Sequence, residues 1–258
     1  MITPKDLESG KVQRNVKVMF IGGSGSGKTH AAATFPKCYF LLTEPGGSDT
    51  FTTNPKLLKN IVGWDYFVPE SAEDTKRVFT ELVQACSRAR EMAKKGDIET
   101  LVMDNGTFLS ENRWIYINKH DAVYSQRGEL DPRGMYGKLS RWMYQFTLMS
   151  LLSCPCNVVF TVHEMLEDDE AMAKKPDKST PIIGNILGGF RDKVDGMFSY
   201  VMYLVKKGQE GGTYKYYART NKGQGKNAKS RIVLPSVIEN FSYNTLVEAI
   251  NKQLQGGK

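Results

Sequence analysis

The sequence lacks long apolar runs, and none approaches the roughly 18 residues that a membrane-spanning helix requires. Its first fifteen residues are polar and mixed in charge, without the apolar centre of a signal peptide. No internal repeat is visible. We therefore expect a cytoplasmic protein that has no membrane as a partner.

Cysteine and histidine are also scarce, with four and three residues respectively. One residue separates Cys154 from Cys156, whereas redox and zinc sites use a C-x-x-C spacing. The histidines are scattered along the chain, at His30, His120 and His163. We therefore expect reduced, structural thiols and no histidine zinc cluster.

The strongest motif is a glycine-rich stretch that fits the phosphate-loop pattern G-x-x-x-x-G-K-[ST]. Its backbone N–H groups must turn inward around a phosphate chain, and residues without a Cβ do this at low cost. Lys28 would reach the β- and γ-phosphates, and the Thr29 hydroxyl can bind Mg²⁺. The motif predicts that ATP is bound by Gly22, Gly23, Ser24, Gly25, Ser26, Gly27, Lys28, Thr29 and His30.

The surroundings of this motif support the prediction. A strand-like run, residues 16–21, precedes it, and a short helical pattern from Thr29 to Thr34 follows and is stopped by Pro36. Strand, glycine-rich loop and helix is the order that the motif requires. The alternative is a flexible Gly/Ser linker, which would not be expected to carry Lys-Thr at this spacing after a buried strand.

The rest of the chain predicts an α/β fold. Apolar runs alternate with helical patterns, which indicates a mostly parallel central sheet with helices on both faces. Strand-like runs near residues 200–204, 214–219 and 231–234 predict a C-terminal antiparallel extension, followed by a helical segment over 237–254. A length of 258 residues fits one large domain or two small ones. We predict an N-terminal segment 1–15, an ATPase domain 16–235, and a C-terminal helix and tail 236–258.

Three polar residues stand where predicted strands end, and ligands of parallel sheets bind at such ends. Asp104 would hold Mg²⁺, directly or through water, together with Thr29. Glu44 could orient the water that attacks the γ-phosphate, and His163 could sense that phosphate, so we list both as catalytic with Lys28. Each has a structural alternative: a strand-end turn residue for Asp104, a solvated loop acid for Glu44, and a satisfied structural histidine for His163.

The net charge of +7 is concentrated in one segment. Between Val205 and Ile232 lie eight basic residues and a single acid, Glu210, and this excess equals that of the whole chain. Such a segment should face an anion, either nucleic acid or phosphates at a subunit boundary. A solvated surface is the alternative. The basic residues are Lys206, Lys207, Lys215, Arg219, Lys222, Lys226, Lys229 and Arg231.

Taken in order, these motifs resemble the RecA-like ATPase core, and more narrowly the phage-encoded nucleotide-binding proteins of the RecA-like single-strand annealing group. The resemblance spans about residues 16–235. By resemblance, Glu44 matches the catalytic glutamate and Asp104 the metal-associated acid, with Asn105 where serine is usual. His163 stands where many RecA proteins have a γ-phosphate-sensing glutamine.

The resemblance also implies partners. It implies Mg²⁺-dependent hydrolysis of ATP by a homo-oligomer, a ring or a filament, acting on single-stranded DNA in phage recombination or replication. It further implies phage single-strand-binding or recombination proteins as partners, in the host-cell cytoplasm. The loop after His163 falls where RecA proteins bind DNA; its acidic start departs from that pattern, so the DNA-binding candidates are Lys174, Lys175 and Lys178. A later run resembles the segment that supplies a cation to a neighbouring subunit's ATP, with Arg219, Lys222, Lys229 and Arg231 as open candidates.

Two other functions stay open. A P-loop small-molecule kinase would need a lid with several arginines, but Arg88 and Arg90 lie on a long helical pattern and the other arginines are dispersed. An ATP-dependent assembly module that does not hydrolyse its nucleotide is the second alternative. Glu44 distinguishes that module from an ATPase.

Overall fold

The structure is a computed structural model that describes residues 15–166, 182–209, 213–221 and 228–255. Within these ranges ten strands form one sheet in the order β10-β8-β7-β1-β5-β4-β2-β3, with β6 paired to β5 and β9 paired to β7. The strands are β1 Lys17–Gly22, β2 Cys38–Leu42, β3 Ile61–Tyr66, β4 Thr100–Asp104, β5 Asn157–Leu166, β6 Ile182–Gly184, β7 Tyr200–Gly208, β8 Tyr214–Arg219, β9 Lys229–Ser230 and β10 Val237–Glu239.

Eight α-helices connect or flank these strands in the same ranges. They are α1 Lys28–Ala32, α2 Asp49–Thr52, α3 Pro55–Leu58, α4 Thr75–Lys95, α5 Gly106–His120, α6 Pro132–Gln145, α7 Arg191–Met197 and α8 Tyr243–Gln255. A π-helical segment, Phe146–Leu152, continues α6.

The predicted fold class is confirmed. Strands β1, β2, β3, β4, β5 and β7 are mutually parallel, whereas β8, β9 and β10 add antiparallel pairs on one side. Strand β5 lies between the phosphate-loop strand β1 and strand β4, which ends in Asp104. This order decides which strand ends are neighbours at the site.

Two hydrophobic cores cover the two faces of the sheet. Because side chains alternate along a strand, Met19 and Ile21 of β1 pack into one core while Val18 and Phe20 pack into the other. The first core lies under α4, α5, α6 and α7, and the second lies under α1, α2, α3 and α8. The central strands β2 and β4 are buried along their whole length, as expected for parallel strands covered on both sides.

The C-terminal part differs from the sequence prediction. Residues 231–234 form no strand; the strands here are the two-residue β9 and the three-residue β10. The helical segment predicted from residue 237 begins only at Tyr243, since residues 237–239 pair with β8. The predicted boundary at residue 235 stays a prediction, and the main sheet continues past it through β10. The predicted N-terminal segment lies almost wholly outside the described residues.

The start of α4 carries the contact of a capping box between Ser71 and Asp74, a pattern that the sequence indicates. Ser71 Oγ accepts a hydrogen bond from the Asp74 N–H at 3.2 Å, and the helix begins directly after Asp74. The four cysteines are buried and unbridged. Among the described helices, none is both long and apolar enough to cross a membrane.

Candidate nucleotide-binding site

The phosphate loop, residues 22–29, joins the carboxyl end of β1 to α1 and depends on glycine geometry. Gly25 and Gly27 have φ values of 70° and 94°, in the left-handed region that favours glycine. A Cβ on Gly27 would lie 2.4 Å from the ring of Tyr216, which stacks on His30 with centroids 4.0 Å apart. At Gly27 the loop therefore needs glycine both for its backbone angles and for the close approach of β8.

Lys28 lies at the centre of the site and is only 6% exposed. Its Nζ donates to the carbonyl oxygens of Gly22 and Gly23 at 2.9 and 2.8 Å and lies 3.3 Å from His163 Nδ1. Burial lowers the pKa of the ammonium group, and the carboxylates of Asp104, Glu44 and Glu164 oppose that shift, in this order. The cation thus lies among three acidic side chains that come from three different strand ends.

The predicted metal-binding pair is in contact. Thr29 Oγ1 donates to Asp104 Oδ2 at 2.7 Å, and the hydroxyl of Thr161 donates to the other carboxylate oxygen. Asp104 is 1% exposed; burial raises the pKa of its carboxyl group, while the hydrogen bonds from Thr161 and Thr29 lower it. A hydroxyl and a carboxylate side by side are the hard oxygen ligands that Mg²⁺ prefers. Among the residues that the structure describes there is no group of three or more His, Cys, Asp or Glu side chains able to bind a metal.

Glu44 and His163 meet through Asn105. Asn105 Nδ2 donates to Glu44 Oε2 at 2.6 Å and lies 3.1 Å from His163 Nε2. His163 Nε2 in turn lies 3.5 Å from the same Glu44 oxygen. The imidazole therefore bridges Lys28 on one side and the Glu44 carboxylate on the other.

The role of Asn105 is the part of the site that sequence reasoning missed. Its Oδ1 accepts from the Phe108 N–H at 3.0 Å and caps α5, while its backbone is held by the Thr43 hydroxyl through two hydrogen bonds of 2.9 and 2.6 Å. Asn105 is thus fixed by its backbone and by its cap, with its amide N–H₂ directed at Glu44. The sequence feature that could have indicated this role is a polar residue directly after Asp104 and just before a helical pattern.

Strand order explains the arrangement. The carboxyl ends of β1, β5, β4 and β2 follow one another across the sheet, so the phosphate loop, His163, Asp104 and Glu44 lie in that order along one edge. Thr161, inside β5, reaches Asp104 across one strand spacing. The sequence predicts that these ends converge but not which ones are adjacent.

A second carboxylate reaches the phosphate loop from the end of β5. Glu164 Oε2 accepts from the Tyr203 hydroxyl at 2.5 Å, and Glu164 Oε1 would lie 2.9 Å from a Cβ on Gly23. Burial, together with the hydrogen bond to Glu164, raises the pKa of Tyr203 above its ordinary range. The Glu164 side chain therefore lies between the phosphate loop and Tyr203 of β7, the strand that pairs with β1 on the side opposite β5.

The remaining predicted residues lie farther from Lys28 or outside the description. Arg219 ends β8 opposite Tyr203, level with the carboxyl end of β1, whereas Lys229 pairs with Val201 and lies nearer the middle of the sheet. Arg231 is exposed just after β9. Lys174, Lys175, Lys178 and Lys222 fall outside the described residues.

The family of the chain follows from its match to a known domain model. The model of the AAA domain family matches residues 14–232, which include the phosphate loop and each of the strand ends described above. The chain belongs to this AAA domain family. Its fold is that of an AAA-type P-loop ATPase. No curated protein matches the chain.

Solved structures with a similar arrangement include a KaiC-like protein from the hyperthermophilic archaeon Pyrococcus horikoshii. It shares 13% identity over 87% of this chain and 88% of its own, with a TM-score of 0.39. An ATPase from the type III secretion system of pathogenic bacteria shares 16% identity over 73% of this chain, with a TM-score of 0.44. The assembled ATPase EscN of enteropathogenic E. coli shares 16% identity over 74%, with a TM-score of 0.46. This chain spans 50% and 43% of the length of the two secretion ATPases.

Proposed function

We propose that the protein hydrolyses ATP in a Mg²⁺-dependent reaction and couples this to single-stranded DNA as a homo-oligomer. The observation that carries the hydrolytic part is the continuous contact from Lys28 through His163 and Asn105 to Glu44, beside the Thr29–Asp104 pair. Lys28 would bind a phosphate and the Thr29–Asp104 pair a metal ion, with Glu44 available as the proton acceptor.

Each side chain then has a defined task. The loop N–H groups and Lys28 bind the β- and γ-phosphates, and Thr29 with Asp104 would hold Mg²⁺, which neutralises charge on the phosphate oxygens. Glu44 orients the attacking water and accepts its proton, while the Asn105 amide keeps the carboxylate turned toward the phosphate loop. His163 contacts both Lys28 and Glu44, which suits it to register the γ-phosphate and to pass the change along β5.

The support for single-stranded DNA comes from the β7–β8 hairpin. Lys207 and Lys215 face each other across the two strands, and the alternation of side chains places them on one face with Tyr217 and Arg219. Lys207 Nζ lies 5.5 Å from the centroid of the Tyr217 ring. Cations that track a phosphate backbone beside a ring on which bases can stack are the usual combination for single-stranded nucleic acid. Lys206 points to the opposite face, 3.8 Å from the Tyr214 ring, and supplies a matched control.

An oligomer is proposed because no cation of the described chain, other than Lys28, contacts the cluster of Glu44, Asp104 and His163. A neighbouring copy would supply one, and Arg219, Lys222, Lys229 and Arg231 remain the candidates. A cation contributed in trans would stabilise charge that develops on the transferred phosphoryl group and make turnover depend on assembly. Phage origin and single-strand-binding or recombination partners stay part of this proposal.

The decisive experiment is steady-state ATP hydrolysis with and without oligo(dT), with EDTA and with Lys28→Ala as controls. We expect turnover that requires Mg²⁺, rises with DNA and is lost in Lys28→Ala. DNA binding is measured separately by fluorescence anisotropy for Lys207→Ala/Lys215→Ala and for Lys206→Ala. The double variant should bind oligo(dT) more weakly, and its affinity should depend less on salt concentration. Lys206→Ala should keep the affinity and the salt dependence of the unmodified protein.

Two results would contradict the proposal in separate ways. Turnover that is unchanged by oligo(dT), with no DNA retained at low salt, removes the DNA function and leaves an ATPase or a kinase. If the protein binds ATP but shows no turnover in any condition, and Glu44→Gln behaves in the same way, the hydrolytic function is wrong. The assembly module that does not hydrolyse its nucleotide then remains.

A further inference from the structure

A cavity of about 400 Å³ lies on the outer side of the helical layer formed by α4, α5 and α6, and no described residue of the nucleotide site lines it. Lys76, Thr80, Val83 and Gln84 of α4 form one wall. The opposite side consists of Arg113 and of the aromatic rings around it. The cavity opens to solvent, and Val83 at its rim is 43% exposed.

Arg113 is held in an aromatic cage. Its guanidinium carbon lies 3.9 Å from the ring centroid of Tyr116, 4.7 Å from that of Trp142 and 5.2 Å from that of Phe79. Phe79 makes edge contacts with both other rings, and Trp142 stacks on Phe146 with centroids 4.8 Å apart. The rings therefore fix the plane of the guanidinium group, which also hydrogen-bonds to Tyr116 at the wall of the cavity.

No carboxylate in the lining of the cavity neutralises the charge of this cage. Among the described residues, no carboxylate forms an ion pair with Arg113, and Asp121, whose charge acts on it, is paired with Lys138. Burial lowers the pKa of the guanidinium group, while the Tyr116 hydroxyl and the Asp121 carboxylate oppose that shift. The residues that line the cavity include a second cation, Lys76, and no acid. The cavity therefore presents positive charge to solvent.

The surroundings decide between a single carboxylate and a polyanion. Acidic side chains at the first turns of α4 are paired with cations: Asp74 and Glu81 with Arg77, and Glu73 with Lys119. A nucleic-acid backbone would need a row of cations, of which only Lys76 and Arg113 line the cavity. A single carboxylate fits the fork of Arg113, and an apolar neighbour of that carboxylate would contact Val83.

We propose that this cavity, which we call the Arg113 pocket, binds a carboxylate of an acidic partner peptide that carries an aromatic or aliphatic residue beside the acid. Arg113 donates to the carboxylate in a bidentate manner, and Lys76 strengthens the attraction from the rim. The pocket is thus a protein-docking site, separate from the phosphate loop and from the basic hairpin.

The test uses N-acetylphenylalanine as the probe and N-acetylphenylalaninamide, which lacks the carboxylate, as its matched control. The full chain is labelled with 5-fluorotryptophan, and the ¹⁹F resonance of Trp142 is followed at constant ionic strength, with Trp64 on β3 as an internal reference. We expect the acid to shift the Trp142 resonance saturably up to about 20 mM, with the amide at least about tenfold weaker.

Substitutions then locate the binding. Arg113→Met retains the packing over the rings and should weaken binding of the acid about tenfold or more. Lys76→Met, at an exposed position that cannot disturb the core, should weaken it about threefold, and Arg88→Met, whose side chain pairs with Asp65 on the β3 side, should leave it unchanged.

Three outcomes would overturn the proposal: no saturable shift, equal binding of acid and amide, or unchanged binding in both Arg113→Met and Lys76→Met. A shift of the same resonance by oligo(dT), competitive with the acid, would instead assign the pocket to nucleic acid.

Discussion

Lys28 and Arg113 are two shielded cations with opposite surroundings. Lys28 is approached by three carboxylates and two carbonyl oxygens, all supplied by strand ends and by the phosphate loop. Arg113 is surrounded by three aromatic rings and has no ion-pair partner among the described residues. Burial lowers the pKa of both groups; three carboxylates oppose the shift at Lys28, whereas the Tyr116 hydroxyl and a single carboxylate, Asp121, oppose it at Arg113.

This difference indicates how each region meets a ligand. The nucleotide site holds its charges in mutual contact, so a phosphate exchanges existing hydrogen bonds for new ones. The lining of the Arg113 pocket holds two cations and no acid, so a carboxylate there supplies a charge that the lining itself lacks. Helix α5 connects the two regions, since Asn105 is its N-cap and Arg113 follows about two turns later.

The largest expected effect is on ATP hydrolysis, and it should separate the nucleotide site from the Arg113 pocket. Glu44→Gln removes the proton acceptor but keeps the hydrogen bond from Asn105, so we expect kcat for ATP to fall about 10²–10⁴-fold with nucleotide binding retained. Arg113→Met should change kcat less than about twofold, because the pocket takes no part in turnover. Equal losses in the two variants, measured by phosphate release and by nucleotide anisotropy, would contradict this separation.

The second effect concerns stability. Lys28→Met leaves the carbonyls of Gly22 and Gly23 without their donor and three carboxylates without a cation, and we expect a loss of about 1–3 kcal/mol in the free energy of unfolding. Arg113→Met removes a cation that has no paired charge and should cost less than about 0.5 kcal/mol or even stabilise the fold. Urea unfolding of both variants measures the contrast, and a larger loss for Arg113→Met would reverse it.

A third prediction compares two glycines within the phosphate loop, one in open space and one in close contact with a side chain. Gly25→Ala should cost about 1–2 kcal/mol, because φ is positive but no atom lies near its Cβ. Gly27→Ala should cost at least about 1 kcal/mol more, since its Cβ would also displace the Tyr216 ring. Thermal unfolding gives both values. Identical melting temperatures would mean that Tyr216 moves aside freely.

The smallest effect is at Asn105, where the two regions join. Asn105→Ser keeps an oxygen acceptor that can cap α5 and should change stability by a few tenths of a kcal/mol, whereas Asn105→Ala should cost about 1 kcal/mol. Both variants lose the amide donor to Glu44, so turnover should fall about tenfold in each. Full turnover in Asn105→Ser would show that Glu44 needs no positioning.

The phosphate loop and the strand ends were predictable because they depend on local chemistry. Gly27 needs a left-handed backbone, Lys28 and Thr29 follow at fixed spacing, and Asp104 ends an apolar run, all of which can be read from neighbouring residues. The wrong strand prediction arose where local composition alone does not decide the structure. Residues 231–234 have strand-like composition, but strand pairing is decided by partners distant in sequence, and β10 rather than this segment lies beside β8.

The phosphate-loop motif and the α/β class can be predicted from the sequence, because motif spacing and apolar periodicity are properties of short segments. The position of β5 between β1 and β4, and with it that of His163 between Lys28 and Glu44, depends on the tertiary structure. So does the enclosure of Arg113 by residues from α4, α5 and α6. Both arrangements result from contacts between segments far apart in the chain, and no local pattern specifies them.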